Sequence, residues 1–138
     1  MWWIFSGRPA ARGFVRHPLI IAFVTTWLSA TASADDLTPA KAQFENSCGA
    51  CHTAELGAPN RQGPNLFDRF GKPAGTLKGF NYSEALRTSG FIWDEATLDR
   101  WITDAQAMRP DVVMPYRQAD PAKRRLIIDY LRSLPGNK

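Results

Sequence analysis

The sequence predicts an all-α fold in which one helix is followed by a long irregular middle and then by two further helices. Three observations predict it. Apolar residues recur at spacings of three and four in three separate windows, each of which opens on a helix-capping residue. Between the first window and the second, residues 49–91 hold seven glycines and three prolines and show no long period of either kind. The whole chain has 138 residues, 44% hydrophobic and 22% charged, which fits one globular domain and excludes disorder, a collagen-like chain or a multi-span membrane protein.

The elements follow in order. Residues 1–34 have the three parts of a secretory leader: Arg8, Arg12 and Arg16 in a basic n-region, the apolar run Pro18 to Leu28, and Ala32-Ser33-Ala34 as a small-residue cleavage site. An eleven-residue apolar run makes roughly 16 Å of helix, about half of a bilayer's hydrocarbon thickness. Cleavage after Ala34 is therefore expected, with a mature domain over 35–138 starting at Asp35 in the periplasm, an oxidising compartment. The apolar opening Met1-Trp2-Trp3-Ile4-Phe5 supports the alternative of a retained membrane anchor. No adjacent Arg-Arg pair occurs in the n-region, which favours general secretion over the twin-arginine route.

In the mature part, Thr38-Pro39 reads as N-cap and first helical residue of a helix carrying Ala40, Phe44 and Cys48 on one face. The irregular middle reads as turns, with one short helical turn at Ser83 to Arg87. Asp94 caps a helix in which Leu98, Trp101, Ile102 and Ala105 recur on one side. Pro110 and Pro115 bracket an extended stretch. Asp120-Pro121 opens a last helix with Leu126, Ile127, Tyr130, Leu131 and Leu134 inward, ended by Pro135-Gly136.

Charge excludes one class of function. Of the 17 Lys and Arg, three lie in the leader, which has no acidic residue; the other 14 face 13 Asp and Glu, a net charge of only +1. Nothing there would hold a phosphate backbone, so no nucleic-acid partner is expected. A middle this irregular, with three modest helices, offers little apolar area against its ordering entropy. A large apolar group bound at the centre would resolve that.

Cys48-Gly49-Ala50-Cys51-His52 indicates which group. C-x-x-C-H is the spacing of c-type haem attachment. Two thiols three residues apart at a helix end can each add to a vinyl group of one porphyrin, and the adjoining imidazole then faces the iron. A thioredoxin-like pair would need a strand before Cys48, and none is read there. A closed zinc site would need a fourth ligand, but residues 35–138 contain no further Cys or His. With His52 on one side of the iron, the sixth ligand comes from Met108 or Met114. Met114 is favoured because it lies in the extended Val112-Val113-Met114-Pro115 run, from which a side chain reaches inward; Met108 suits a gap-filling role. His/Met ligation leaves little room for an exogenous ligand and raises the reduction potential, which suits outer-sphere electron transfer.

On these residues, with Gly63-Pro64-Asn65-Leu66 following the haem histidine, the chain resembles the class I cytochromes c, in particular the mitochondrial cytochrome c and bacterial cytochrome c2 group. The resemblance spans the mature chain. It implies the cytochrome c fold, with N- and C-terminal helices crossing and a loop-rich middle wrapped around one covalent haem c. It further implies that the Pro64 carbonyl orients His52, that Tyr82 and Trp93 donate to a haem propionate, and that Lys72 stands where a propionate-pairing arginine often occurs. Phe44, Ile127 and Tyr130 match the contact between first and last helices, Met114 the axial methionine, and Tyr116 the aromatic that follows it. Trp101, Leu86 and Val112 stand where the family commonly has Tyr, Asn and Thr around that methionine. The Met114 side is therefore expected to be drier and less hydrogen-bonded, without hydroxyl partners.

The function expected is that of a monomeric one-electron carrier, not an enzyme, docking transiently on donor and acceptor proteins that include membrane complexes. Five lysines over 35–138 make docking less steeply salt-dependent than in lysine-rich relatives. The run Lys123-Arg124-Arg125 reads first as a solvated face and only second as a docking patch. Two rivals are a haem subunit fixed to a membrane dehydrogenase or oxidase by a retained leader, and a haem peroxidase or gas-binding protein. The second would usually need a distal acid/base group, for which no histidine is left.

Overall fold

The computed structural model describes residues 37–137; the leader over 1–34 and its cleavage site lie outside the described residues. Five helices follow in order: α1 Thr38–Cys48, α2 Glu84–Arg87, α3 Glu95–Thr103, α4 Ala105–Met108 and α5 Pro121–Ser133, with a 3-10 turn over Pro135–Asn137. Among the described residues the β structure is one isolated antiparallel bridge, Pro73 to Ile92. No described helix is long and apolar enough to cross a membrane.

Helix starts follow side-chain chemistry. Ser83, Asp94 and Asp120 each take an extended backbone and accept a hydrogen bond from the amide of Leu86, Thr97 and Ala122 respectively. The first helix departs from expectation: Leu37 stands at the cap with no side-chain bond, and Thr38 is already helical. Leu37 itself has helical-region dihedrals (φ −90°, ψ −8°), so the turn closes one residue early.

The core lies where α1, α3 and α5 meet. Phe44 of α1 packs on Tyr130 of α5 with ring centroids 4.8 Å apart and planes at 38°. Leu98, Trp101 and Ile102 of α3 join them, as do Ile127 and Ile128 of α5, each only 1% exposed. Ile128 was not expected on the inner face: α5 lies against both α1 and α3, so its apolar stripe is wider than one neighbour would need.

The expected continuous repeat from Leu98 to Ala105 is broken at Asp104, which is extended (φ −165°, ψ 100°). Its carboxylate accepts from the Ala107 amide at 3.0 Å and starts α4 as a new turn. Ala105 is still fully buried. Beyond α4, Asp111 turns the chain with φ 70°, a left-handed conformation that Asp tolerates. Val112 is then buried, Val113 is 83% exposed and Met114 turns back inward. The Gln118 amide donates to the Ile102 carbonyl at 2.9 Å. Arg124 donates to the carbonyls of Gln118 and Ala119 and, at 2.7 Å, to Asp99 of α3. The stretch carrying Met114 is thus fastened to α3 and α5 together.

Candidate functional site

Cys48 is the last residue of α1, and its carbonyl accepts from both the Cys51 and the His52 amides, at 3.0 and 2.9 Å. That turn gathers both thiols and the imidazole at one helix end. Both cysteines are free and half-buried. Before any haem is attached, burial and the neighbouring Cys51 push the Cys48 thiol up to about 12. The Cys51 thiol donates to Gln62 Oε1 at 3.3 Å.

His52 Nδ1 lies 2.8 Å from the Pro64 carbonyl oxygen. A carbonyl only accepts, so Nδ1 carries the proton and Nε2 keeps a free lone pair. Burial lowers the His52 pKa, against the opposing pull of the Pro64 bond, which favours the neutral ring. The four residues after Gln62 each have a physical reason. A Cβ on Gly63 would sit 2.2 Å from His52 Cε1, so only glycine leaves room for the ring. Pro64 supplies the carbonyl. Asn65 donates to the carbonyls of Glu55 and Ala58 and accepts from the Phe67 amide, tying the loop to itself. Leu66 packs on the core, and its amide donates to the Thr53 carbonyl.

Trp93 and Lys72 are neighbours through the backbone. The Trp93 amide donates to the Lys72 carbonyl at 3.0 Å, and the Gly71 amide to the Trp93 carbonyl at 2.9 Å. The Lys72 ammonium, half exposed, lies 3.7 Å from Asp68 Oδ1. Tyr82 packs edge-on against Phe80, and burial raises its hydroxyl pKa, opposed by the Leu77 amide and the Arg69 charge. Arg69, three residues before Lys72, has a side chain that is 21% exposed, donates to the Phe67 carbonyl and lies near Tyr82.

Met114 and Met108 both pack partly buried against the core. Only Met114 receives a donor: Trp101 Nε1–H points at its Sδ at 3.1 Å. Among the described residues no hydroxyl donates to this sulfur; the indole that stands at the tyrosine position supplies an N–H instead. Lys123-Arg124-Arg125 is largely engaged within the fold. Arg124 pairs with Asp99, and Arg125 pairs with Glu95 and Asp129.

The donor set fits a covalent haem. Two thiols stand at the attachment spacing beside a neutral imidazole whose Nε2 is free. Cys48, Leu66, Leu86, Trp93, Met108 and Met114 are among the partly buried apolar side chains packed against the core cluster.

The comparisons agree with this chemistry. The family model for cytochrome c matches residues 37–135. Cytochrome c-550 of Novispirillum itersonii is 38% identical over 104 residues, covering 67% of this chain and 94% of that protein. Cytochrome c2 iso-2 of Magnetospirillum fulvum is 40% identical over 88 residues, 63% of this chain and 91% of that one. Among solved structures, cytochrome cH from Methylobacterium extorquens matches with a TM-score of 0.62 at 35% identity, over 68% of this chain and 94% of its own. The chain belongs to the cytochrome c family: it is a monohaem electron carrier rather than an enzyme, with one covalently bound haem c for which Cys48 and Cys51 have the attachment spacing.

Proposed function

We propose that this protein carries single electrons between redox partners outside the cytoplasm, with His52 and Met114 as the residues that would hold its iron. The observation that carries the reading is the 2.8 Å approach of His52 Nδ1 to the Pro64 carbonyl, which leaves Nε2 as a neutral donor. The haem supplies ferric–ferrous one-electron chemistry when bound. Cys48 and Cys51 hold it by thioether bonds. Pro64 fixes the plane of His52, the kind of supporting contact that orients a metal ligand. Met114 offers a neutral thioether from a stretch fastened to two helices. Two neutral ligands would neither gain nor lose a proton with the electron, and a thioether beside an imidazole would raise the potential. Tyr82 and Trp93 would donate to a propionate, while the Lys72 charge is shared with Asp68.

Residues 1–34 act as a signal peptide cleaved after Ala34, so the carrier works in the periplasm as a monomer. Its contacts with donor and acceptor complexes are small and short-lived. With Arg124 paired to Asp99 and the exposed Arg125 to Glu95 and Asp129, part of the charge of that basic run is met by carboxylates of the same chain.

The test is the visible spectrum of the oxidised holoprotein, scanned into the far red where His/Met ferric haem has a weak charge-transfer band. The band is expected in the wild type and in Met108→Ala and should be lost in Met114→Ala. A wild type that lacks it and reads as high-spin refutes the ligand set. The intact mass of the periplasmic protein should correspond to a chain starting at Asp35 plus one haem.

A further inference from the structure

We infer that Arg109 is a latch on the Met114 stretch: its guanidinium ties that stretch to α2 and so governs how readily Met114 leaves the iron. The inference rests on the reading of Met114 as an iron ligand. Arg109 follows α4 and precedes Pro110, and the residue before a proline is steered out of the helical conformation. It is extended (φ −146°, ψ 105°), and its half-buried side chain crosses to α2. Nε donates to the Ala85 carbonyl at 3.0 Å and Nη2 to the Thr88 hydroxyl at 3.3 Å, partners 24 and 21 residues away.

These acceptors are available because α2 is a single turn of four residues. In a longer helix the Ser89 amide would meet the Ala85 carbonyl, but here it bonds Leu86 at 3.3 Å. The Ala85 carbonyl is left for the guanidinium. Thr88 donates its hydroxyl to the Glu84 carbonyl at 2.9 Å while its oxygen accepts from Arg109, so the contact reaches both ends of the turn. The planar fork of arginine meets two acceptors at once, which the point charge of a lysine cannot. The anchor is itself held: a Cβ on Gly75 would lie 2.9 Å from Arg87 Cα, and the Ala74 amide donates to the Phe91 carbonyl at 2.8 Å.

The Met114 stretch is thus a strap with two pins. At the far end the Gln118 amide bonds the Ile102 carbonyl, and Arg124, 12% exposed, grips Gln118, Ala119 and Asp99. Residues 112–117 between the pins lie in no helix or strand, and Val113 is 83% exposed. At the near end Val112 is buried, its carbonyl receives a long 3.5 Å bond from Gln106, and the charge-assisted bonds are those of Arg109. That end gives first, and the side chain that holds it sets the rate. A sixth ligand that leaves slowly keeps peroxide and gases from the iron, so the latch protects the carrier role.

The test uses the oxidised holoprotein with imidazole as the probe. At saturating imidazole, the far-red band disappears at the rate at which Met114 departs. Arg109→Gln should depart about tenfold faster, or about 1.4 kcal/mol, near the lower end for a hydrogen bond to a charged group. Arg109→Lys should fall between it and the wild type. Thr88→Val should quicken departure by less, and should add nothing in the Arg109→Gln background. By hydrogen exchange, peptides over 110–117 should exchange faster in Arg109→Gln while α1 and α5 keep their wild-type rates. Arg87→Gln breaks the pair with Glu84 on α2 without reaching the strap, and should leave departure unchanged. Loss of the band from resting Arg109→Gln is the expected result carried further. Departure at the wild-type rate in Arg109→Gln, with the band present in both, overturns the inference alone. So does a quickening that Arg87→Gln matches, or one accompanied by equally faster exchange in α1 and α5, because either makes the arginine merely structural. A Thr88→Val effect that persists in the Arg109→Gln background overturns the share given to Thr88. A wild type without the band removes Met114 as ligand, and the inference with it.

Discussion

Adding one methyl group at Gly63 should strike the ring of His52 without touching it in sequence. In Gly63→Ala the new Cβ would lie 2.2 Å from His52 Cε1, 2.6 Å from Nδ1 and 2.7 Å from Nε2. All three are too close to survive, so the ring must swing away from the Pro64 carbonyl. The backbone of Gly63 is not in the left-handed region, so alanine's own conformation is not the problem. Overpacking of this kind costs about 2 kcal/mol. Loss of the His52–Pro64 bond adds about 1 kcal/mol. Alanine's smaller unfolded-state entropy returns about 0.7 kcal/mol, which leaves a net loss of about 2 kcal/mol. Denaturant unfolding of the holoprotein is the assay, with the midpoint falling at an unchanged slope. The ferric spectrum of the folded variant should show a perturbed or partly displaced histidine. A Gly63→Ala protein with wild-type midpoint and spectrum would refute the argument that Gly63 exists to make room for the ring.

Two further outcomes can be checked on the same material. Arg124→Lys should fail to restore most of what Arg124→Ala loses, about 2 kcal/mol, because one ammonium cannot serve Asp99 and the Gln118 and Ala119 carbonyls together, whereas the 12%-exposed guanidinium does; denaturant midpoints of the two variants decide it. Asp94 has its carboxyl held below the ordinary 3.8 by the Thr97 backbone and side-chain bonds. Its contribution to stability is therefore full above the unfolded-state pKa and lost as pH falls through the lower folded value. Asp94→Asn keeps a capping oxygen and should flatten that part of an acid-unfolding profile, which thermal melts across the acid range would show.

Much of the fold was legible because its punctuation is local. Ser83, Asp94 and Asp120 cap the helices they precede in the sequence, and Pro121 stands in the first turn of α5 as its fixed φ suggests. The break at Asp104 was missed although its signal was present, an Asp able to cap a new turn inside an apolar repeat. The repeat was read as continuous because Ala105 keeps its phase across the break. Ile128 was missed because a heptad-like stripe assumes one neighbour, and α5 has two. At the site, the cysteine pair, His52 and the Gly63–Leu66 run announce themselves by spacing. Trp101 could be read only as an apolar helix residue in a tyrosine's place. Whether its N–H met the sulfur depends on ring orientation, which the edge-on contact with Trp93 helps to set and which no period encodes. Arg69 and Lys72 are alike in sequence, and only burial separates them.

The contact between Phe44 and Tyr130 also bears on how much change the chain can absorb. It joins helices separated by 72 residues between Cys48 and Pro121. Closing a loop of that length is a cost that grows only with the logarithm of its length, about 0.6 kcal/mol for each doubling. The entropy of bringing the two helices together is thus nearly indifferent to a few residues gained or lost between them. Length changes are confined instead by what the middle must hold in place. Inserting a short Gly/Ser segment at Leu56-Gly57 would part the Glu55 and Ala58 carbonyls that Asn65 holds together, although Leu56 itself is 81% exposed. The same segment placed between Cys51 and Thr53 would part the imidazole from its thiols.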